Sequence, residues 1–259
     1  ELAGTGLADA PAVGVSAITG QGLEELRDVL DGVVGAAREP SADGRVRLWV
    51  DRAFSIPGAG TVGTGTLDAG TLRREDSLAL CGAERGGEVL VRGLQSRGGS
   101  LEQLGPVSRA AVNLRGVSTE QIGRGDALLS PHAWELVRVL DVRRRTGTSL
   151  ESSPQLLVAH IGTASVGARI RPLGPDHARL TLDRALPLQL GDRLVLRSSG
   201  SRSVRHGVQV LDLDPPEMTR PELVETLAGN RLLPGIVALA ALYAGHQFGH
   251  YVPQLGDGR

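Results

Sequence analysis

The basic side chains of this 259-residue chain are all of one type, because every one of the 28 positions counted as Lys or Arg is an arginine. A chain without lysine has no Schiff-base lysine, no lysine general base and no P-loop lysine. Any contact with phosphate therefore depends on arginine, on backbone amides, or on a part of the protein outside this sequence. Arginine suits anions, since its guanidinium stays charged and presents several N–H groups in a planar fork.

Cysteine and histidine, the other side chains that often do chemistry, form no recognisable site. The single Cys81 excludes an internal disulfide and a cysteine-based zinc site, and we interpret it as a packing residue. His246 and His250 have the i, i+4 spacing of a helical metal site, but the glycines before them disfavour a helix. We therefore predict no catalytic residue and no metal site. Four further histidines are scattered: His132, His160, His177 and His206.

Apolar residues alternate with a period of two from Arg45 onward, as they do in short β-strands. Glycine-rich turns separate these segments, in a chain that has 36 glycines and only 2% aromatic residues. Pro131 interrupts the pattern, and a second block of short strands begins at about His132. Many short strands with frequent turns predict closed barrels or sandwiches.

A different pattern precedes the strands. Val13 and Val15 predict a short strand, and apolar residues at helical spacing from Leu23 predict a helix that ends near Arg38. The segment around Pro40 has the composition of a linker. The N-terminal part is therefore predicted to be a strand, a loop and a helix.

The loop of this segment, Ser16-Ala17-Ile18-Thr19-Gly20, resembles the last guanine-contacting loop of translational GTPases. The resemblance implies that Ser16, Ala17 and Ile18 form a guanine loop, in which small side chains let the base approach the backbone. The alternative is an ordinary strand–loop–helix with small residues in its loop.

The first strand block carries a longer resemblance. Residues 47–67, with the sequence RLWVDRAFSIPGAGTVGTGTL, resemble the start of the second domain of the selenocysteine-specific translation elongation factors, the SelB family. The resemblance covers roughly residues 13–217. Its further segments follow in the order of that family: residues 91–95, 109–114, 124–126, 160–164, 168–170 and 191–197.

This resemblance implies a mainly β fold with two consecutive six- to seven-stranded β-barrels of translation-factor type. It implies that the barrels occupy residues 41–131 and 132–217. Residues 1–40 are expected to be the terminal strand and helix of a truncated GTPase domain. Residues 218–259 are expected to be a short helical or irregular tail.

The resemblance also implies a selenocysteinyl pocket. Asp51, Arg52 and Arg109 match positions of that pocket, where fixed cations would recognise a selenolate, and Asp51 would orient Arg52. The alternative is that Asp51 and Arg52 form a surface ion pair of little energetic value. Gly63 departs from the family, which has a larger side chain there, so any contact from that side chain is lost.

A short basic run, Arg143-Arg144-Arg145, stands at the end of a predicted strand. It is a candidate for contact with the tRNA backbone, since phosphate contacts add affinity that salt weakens. The alternative is a solvated hairpin.

The C-terminal segment resembles another family. Residues 243–259, YAGHQFGHYVPQLGDGR, resemble the N-terminal signature of the SelO protein adenylyltransferases. The resemblance covers roughly residues 219–259 and implies a remnant of a Gly-rich ATP-phosphate region. Its phosphate-binding lysine and metal-binding Asn and Asp would lie beyond Arg259. The remnant consists of Gly256, Asp257, Gly258 and Arg259.

The resulting functional hypothesis is a fragment of a GTP-dependent carrier that brings selenocysteinyl-tRNA to the ribosome at UGA codons. GTP and Mg²⁺ are expected to be bound by the full-length parent and not stably by this chain. The chain itself is expected to be inactive as a GTPase, since it contains no P-loop. The alternatives are a fragment of an ATP-dependent protein adenylyltransferase and a non-functional fusion product.

The expected partners are selenocysteinyl-tRNA and the ribosome. An mRNA hairpin would be bound only through winged-helix domains that this chain does not encode. No membrane contact is expected, because the longest apolar run, residues 236–243, is too short to span a bilayer. A cytoplasmic location follows from these partners.

Overall fold

The structure is a computed structural model that describes residues 10–37, 40–82, 86–198 and 204–216. Its first element is helix α1 (Leu23–Gly35), which begins after Gly22, a residue with a φ of 75°. Glu24 and Glu25 lie in the first turn, where their charge favours the positive end of the helix. No residue of α1 is buried.

The strand predicted at Val13 and Val15 is wrong. Residues 10–22 contain no strand, and no backbone hydrogen bond joins them to another strand among the described residues. A strand is stable only when its backbone groups pair with a neighbour. The apolar alternation of Val13 and Val15 is therefore not accompanied by strand pairing with any described residue.

The first barrel contains the strands of residues 47–129. Strands β4, β9, β1, β2, β8 and β5 follow one another around it, and the pairing of β4 with β5 closes the ring. Strand β6 extends the sheet beside β5, and β3 pairs only with β7. The strands are β1 (Arg47–Ile56), β2 (Gly60–Leu67), β3 (Leu72–Arg73), β4 (Ser77–Cys81), β5 (Gly86–Ser96), β6 (Gly99–Leu101), β7 (Gln103–Leu104), β8 (Ser108–Arg115) and β9 (Ala127–Leu129).

The second barrel contains the strands of residues 136–212. Its closed order is β10, β13, β12, β11, β14 and β15, and a short 3-10 helix, Leu150–Ser152, follows β10. Both barrels enclose Leu, Val, Ile and Ala side chains. The strands are β10 (Leu136–Gly147), β11 (Leu156–Ile161), β12 (Ala164–Pro172), β13 (His177–Pro187), β14 (Arg193–Ser198) and β15 (Val204–Asp212).

The predicted fold class, two six- to seven-stranded β-barrels, is confirmed. Each strand longer than four residues coincides with a segment of apolar alternation. The four shortest strands, β3, β6, β7 and β9, have two or three residues each, too few to show a period in the sequence. The predicted tail lies outside the described residues. Among the described residues, no helix is long and apolar enough to cross a lipid bilayer.

The two barrels meet at a seam whose centre is Arg47 of β1. Its guanidinium donates two hydrogen bonds to the carboxylate of Asp192, at 2.6 and 2.8 Å, and one to the carbonyl of Pro187 at 2.8 Å. The same group lies 4.6 Å from the centre of the Trp134 ring. The ion pair is largely buried, with the Arg47 and Asp192 side chains 14% and 8% exposed.

An aromatic contact completes the seam. The buried Trp49 ring belongs to the same apolar cluster as the core of the second barrel. Gly162 packs against this ring with a φ of 54°, and a Cβ at that position would overlap the ring. Thr163 donates a hydrogen bond from its hydroxyl to the carbonyl of Val50 at 2.6 Å. The barrels are thus joined by apolar and polar contacts, which hold β1 in a defined place between them.

Candidate functional site

A β-bulge in strand β1 shapes the predicted pocket. Val50 pairs with Gly65 and Arg52 pairs with Thr64, so Asp51 has no partner of its own on β2. Such a bulge bends the strand and changes the direction of the side chain at the extra residue. The site therefore begins with a local irregularity at the predicted aspartate.

The Asp51 carboxylate joins three strands of the first barrel. Its Oδ1 accepts a hydrogen bond from the Thr64 hydroxyl of β2 at 2.6 Å. Its Oδ2 forms an ion pair with Nη1 of Arg109, which lies on β8 directly opposite Thr66. The Asp51 side chain is 16% exposed, whereas that of Arg109 is 55% exposed. The carboxylate is thus enclosed, and the guanidinium reaches into solvent.

The two charges reinforce each other. The hydrogen bond from Arg109 lowers the pKa of Asp51, burial opposes this shift, and the hydrogen bond from Thr64 supports it. The same hydrogen bond raises the pKa of Arg109. Neither group therefore suits proton transfer near neutral pH. The arrangement can instead present guanidinium N–H groups at a fixed position to an anionic ligand.

Arg52 occupies the next position of β1 and is exposed. Its charge lowers the pKa of Asp51, as the weakest of the effects on that group. The sequence predicted that Asp51 orients Arg52, but the Asp51 carboxylate contacts Arg109 and Thr64 instead. The structure thus brings Asp51 and Arg109 together, and Arg52 makes no hydrogen bond within the described part of the chain.

Thr64 is the site residue that the sequence analysis missed. Its signal was the alternation of Gly and Thr in β2, which puts Gly65 against the barrel wall and Thr64 on the outer face. A Cβ on Gly65 would overlap the Leu48 side chain and the Trp49 carbonyl, so only glycine fits there. This close approach of β1 and β2 brings the Thr64 hydroxyl within reach of Asp51.

Gly63 faces the core of the first barrel and not the Asp51–Arg109 site. A Cβ there would lie 3.7 Å from the side chains of Ile122 and Leu114, both buried in the first barrel. The larger residue expected at this position would therefore contact the interior. The departure from the family pattern leaves the outer face around Asp51 unchanged.

The predicted guanine loop is a hydrogen-bonded turn. The Ser16 amide donates to the carbonyl of Gln21 at 3.0 Å, and the Ser16 hydroxyl accepts from the amide of Thr19 at 3.2 Å. The amides of Ala17 and Ile18 donate to no residue in the described part of the chain. Ile18 is 97% exposed. The turn thus holds two unoccupied backbone donors in a fixed position.

The three arginines of the basic run have different surroundings. Arg144 is bound to Asp176, with Nε 2.8 Å from Oδ1, and also donates to the carbonyl of Gly147 at 2.6 Å. Arg143 and Arg145 are exposed and form no ion pair with a described residue. The run therefore divides into two open arginines and one that is engaged within the barrel.

The remaining predicted residues, 256–259, lie outside the described part of the chain. The described residues contain no group of three or more His, Cys, Asp or Glu side chains that could hold a metal ion. Cys81 is buried, and burial raises the pKa of its thiol. The statements on metal ligands and on Cys81 apply only to the residues that the structure describes.

Two family models match the chain. Residues 138–217 match the model described as "Selenocysteine-specific elongation factor, beta-barrel domain". Residues 200–259 match the model described as "Protein adenylyltransferase SelO". The two matches overlap at residues 200–217, which include β15.

Curated relatives agree with the first match over most of the chain. The chain is 34% identical to the selenocysteine-specific elongation factor of Escherichia coli strain K12 over 226 residues, which is 86% of this chain and 36% of that protein. It is 35% identical to that of Desulfomicrobium baculatum, over 76% of this chain and 32% of the relative. The chain thus spans about a third of the length of these relatives.

A solved structure also agrees. The crystal structure of a bacterial selenocysteine-specific elongation factor, EF-Sec, superposes with a TM-score of 0.69 at 25% identity. The match covers 88% of this chain and 38% of that one. The SelB structure from Methanococcus maripaludis in complex with the GTP analogue GPPNHP has the same fold, with a TM-score of 0.66.

The C-terminal segment is similar to another group of proteins. It is 77% identical over 52 residues to the protein nucleotidyltransferase YdiU of Thiobacillus denitrificans, which is 20% of this chain and 11% of that protein. The chain is therefore similar to the selenocysteine-specific elongation factors over most of its length, with a match to their β-barrel domain at residues 138–217, and similar to SelO at residues 200–259.

Proposed function

We propose that residues 41–217 form the tRNA-binding body of a selenocysteine-specific elongation factor. In this role they hold selenocysteinyl-tRNA for GTP-dependent delivery to the ribosome at UGA codons, in the cytoplasm. The observation that supports the proposal most directly is the pair of Asp51 and Arg109, in which a partly buried carboxylate fixes a guanidinium that remains open to solvent. An elongation factor of this type must tell a selenocysteinyl group from a seryl group.

The chemistry of the amino acid explains why arginines suit this task. A selenol is acidic and exists as a selenolate at neutral pH, whereas a serine hydroxyl stays neutral. A hydrogen bond between charged partners is roughly twice as strong as one between neutral partners. Arg109, held by Asp51, and Arg52 beside it would therefore bind the selenolate more tightly than the hydroxyl.

The other proposed contacts also use groups that have no ion-pair partner within the described residues. Arg143 and Arg145 are proposed to contact the tRNA backbone, and Arg144 is excluded because Asp176 holds it. In the full-length parent, GTP and Mg²⁺ would be bound with the guanine against Ser16, Ala17 and Ile18. The free amides of Ala17 and Ile18 are compatible with a base at this turn. An mRNA hairpin would be bound by domains other than these barrels.

The proposal is tested with selenocysteinyl-tRNA and seryl-tRNA carried on the same tRNA. Each is titrated with the chain, and protection of the aminoacyl ester from hydrolysis gives the dissociation constant. We expect Arg109→Met to weaken binding of selenocysteinyl-tRNA about tenfold, since a hydrogen bond to a charged group contributes about 1.5 kcal/mol or more. Binding of seryl-tRNA should change less than about twofold.

Arg115→Met is the matched control, since Arg115 is an exposed arginine of the same strand. It should leave both constants unchanged. Equal weakening of both aminoacyl forms by Arg109→Met would contradict a role in discrimination. Arg52→Met then tests whether the neighbouring arginine shares the anion.

The match of residues 200–259 favours a second candidate function, transfer of a nucleotide from ATP to protein. Gly256, Asp257, Gly258 and Arg259 would belong to its phosphate region. A transfer assay with labelled ATP separates the two candidates. We expect no labelled product from this chain, because it contains no lysine for the phosphates. Labelling that requires residues 218–259 would support the second candidate.

A further inference from the structure

The orientation of the Asp51 carboxylate is not fixed by the pairing of the strands. Asp51 is the extra residue of the bulge in β1 and has no partner on β2. The terminal torsion of a carboxylate is broad, with two equivalent orientations of its oxygens. The partners of the two oxygens therefore decide which donors Asp51 holds and which it leaves for a ligand.

The two oxygens of Asp51 have partners of different charge. Oδ1 accepts a hydrogen bond from the neutral Thr64 hydroxyl at 2.6 Å, and Oδ2 forms the ion pair with Arg109. An ionised carboxylate only accepts hydrogen bonds, and its two oxygens suit two guanidinium groups as well as one. Asp51 is thus bound to one guanidinium and one hydroxyl.

Arg52 is the second guanidinium within range of this carboxylate. Three side chains lower the pKa of Asp51, and in decreasing order of effect they are Arg109, Thr64 and Arg52. Arg52 pairs with Thr64 across β1 and β2, so their Cβ atoms lie about 5 Å apart on one face of the sheet. An arginine side chain is longer than this separation. The carboxylate therefore lies within reach of Arg52, although Arg52 makes no hydrogen bond with a described residue.

The position of Thr64 is set by the strands on both sides of it. β2 lies between β1 and β8, where Thr64 pairs with Arg52 and with Ala111. A Cβ on the next residue, Gly65, would lie 2.4 Å from atoms of β1, so the two strands approach each other closely here. Threonine is β-branched, which restricts its χ1 torsion. Backbone and side chain thus favour one place for the hydroxyl, at Oδ1 of Asp51.

We propose that Thr64 is a positioning residue that keeps Arg52 available to the aminoacyl group, because its neutral hydroxyl occupies Oδ1 of Asp51. The inference rests on the proposed function, in which Arg52 and Arg109 bind the selenolate. It gives the two arginines different states in the free chain: Asp51 holds Arg109, whereas Arg52 stays unbound until the ligand arrives.

Removal of the hydroxyl is expected to change the partner of Oδ1. The Asp51 side chain is only 16% exposed, and an ionised group that loses a hydrogen bond in such surroundings is destabilised. Arg52 is the remaining side chain that acts on this carboxylate, so it replaces the hydroxyl. Its guanidinium is then withdrawn from the ligand.

The first test needs no tRNA and follows the arginine Nε–H groups of the free chain by NMR. Arg52→Met identifies the Arg52 signal by its loss. In the parent chain we expect this proton to exchange rapidly with water. In Thr64→Val, which keeps the shape of the side chain without the hydroxyl, exchange should slow by up to about fivefold, the factor that a partly exposed ion pair provides.

The second test is a double-mutant cycle that measures protection of the aminoacyl ester. Arg52→Met should weaken binding of selenocysteinyl-tRNA about tenfold in the parent chain, because a hydrogen bond to a charged group is lost. In the Thr64→Val chain the same substitution should weaken it less than about twofold, since Arg52 is already engaged with Asp51. Thr64→Val alone should weaken the selenocysteinyl complex about tenfold and the seryl complex less than about twofold.

Two variants of the same strand serve as controls. Thr64→Ser retains the hydroxyl and should bind selenocysteinyl-tRNA within about twofold of the parent chain. Thr66→Val removes a hydroxyl from an exposed residue two positions along β2, and should change neither the Arg52 exchange rate nor the binding. Urea denaturation of each variant verifies that the barrels are folded.

An unchanged Arg52 exchange rate in Thr64→Val would overturn the proposal. Equal effects of Arg52→Met in the two backgrounds would also overturn it, because Arg52 would then reach the ligand without Thr64. If Arg52→Met has no effect in the parent chain, Arg52 does not bind the aminoacyl group and the proposal is wrong, whereas Arg109→Met still tests the proposed function. The two proposals can therefore fail separately.

Discussion

Strand β1 contributes one residue to each of two Asp–Arg pairs, and the two pairs lie in different surroundings. Arg47 points into the seam between the barrels, where its side chain and that of Asp192 are 14% and 8% exposed. Asp51, four residues later, faces outward and binds Arg109, which is 55% exposed. The same chemical pair is thus buried at one place and open at the other.

The difference shows how the surroundings decide the use of a guanidinium. In the seam, Arg47 donates to both oxygens of Asp192 and to a backbone carbonyl, and Trp134 covers its face. Such a group has little capacity left for a ligand. Arg109 has one ion-pair partner and an exposed side chain, so it can bind a ligand without losing a structural contact.

The largest effect is expected when the seam pair is broken. Arg47→Met leaves the Asp192 carboxylate buried without its partner and should lower the free energy of unfolding by about 4 kcal/mol. Urea denaturation measures the change. Because a buried pair can often be replaced by apolar groups, the double variant with Asp192→Leu should recover part of the loss. If Arg47→Met lowered the free energy of unfolding by less than about 1 kcal/mol, the seam pair would contribute no more than an exposed ion pair does, which would contradict the prediction.

A second test addresses the apolar half of the seam. Gly162→Ala forces a Cβ into the Trp49 ring at a positive φ and should lower the free energy of unfolding by about 3 kcal/mol. Gly98→Ala is the matched control, since Gly98 has a φ of 80° and no atom within 4 Å of its ideal Cβ. It should lose only about 1 kcal/mol, the strain of the backbone alone. Equal losses would contradict tight packing at Trp49.

A third test contrasts the seam with the buried His206 of the second barrel. Its Nε2 lies 2.8 Å from the Ser153 hydroxyl, and burial lowers its pKa below the ordinary 6.5. The unfolded chain then binds a proton more readily than the native one. The contribution of neutral His206 to the free energy of unfolding is therefore fully present above pH 6.5. It declines below that pH, by at most about 1.4 kcal/mol per pH unit.

His206→Gln should flatten this decline between pH 7 and 5, measured as the pH dependence of the urea midpoint. The exposed His132→Gln serves as a control for the loss of a histidine. His160 and His177 also have lowered pKa values, so part of the decline should persist. An unchanged slope in His206→Gln would contradict the assignment of the proton to this residue.

The smallest stability effect is expected at the outer pair. Arg109→Met should change the free energy of unfolding at pH 7 by less than about 0.5 kcal/mol, because the guanidinium is largely solvated. Because the pKa of Asp51 is lowered in the native chain, its ionised carboxylate stabilises the fold at pH values above 3.8, the ordinary pKa of this group. This stabilisation is lost as the pH falls through the native pKa. The variant and the parent should therefore converge in strong acid. If Arg109→Met lowered the free energy of unfolding as much as Arg47→Met, the outer pair and the seam pair would contribute equally to stability, contrary to this prediction.

Local patterns predicted the strands, because each strand of a barrel wall has one buried and one exposed face, whereas the choice of barrels over sandwiches came from the family resemblance. β8 (Ser108–Arg115) and β12 (Ala164–Pro172) alternate between buried and exposed residues along their length. β9 (Ala127–Leu129) is buried at all three positions and shows no alternation. The sequence therefore revealed the long strands and missed the short buried one.

The candidate site was predicted less completely, for a different reason. Asp51, Arg52 and Arg109 were found through a resemblance, but the partner of Asp51 depends on how β1, β2 and β8 align. Arg47 and Asp192 are 145 positions apart and neither carries a local signal of the pairing. Contacts of this kind form only when distant strands come together in the fold. They cannot be predicted from the pattern of neighbouring residues in the sequence.

The bulge at Asp51 also reverses the phase of its strand. Before it, the even-numbered Leu48 and Val50 are fully buried; after it, the even-numbered Phe54 and Ile56 are each 42% exposed, and Ala53 packs against the core. If β1 kept this residue but ran on without the bulge, Phe54 and Ile56 would fall in phase with Leu48 and Val50 and turn inward, into space now filled by alanine. The bulge therefore keeps two large apolar side chains out of the core of the first barrel, a consequence that does not depend on the charge of Asp51.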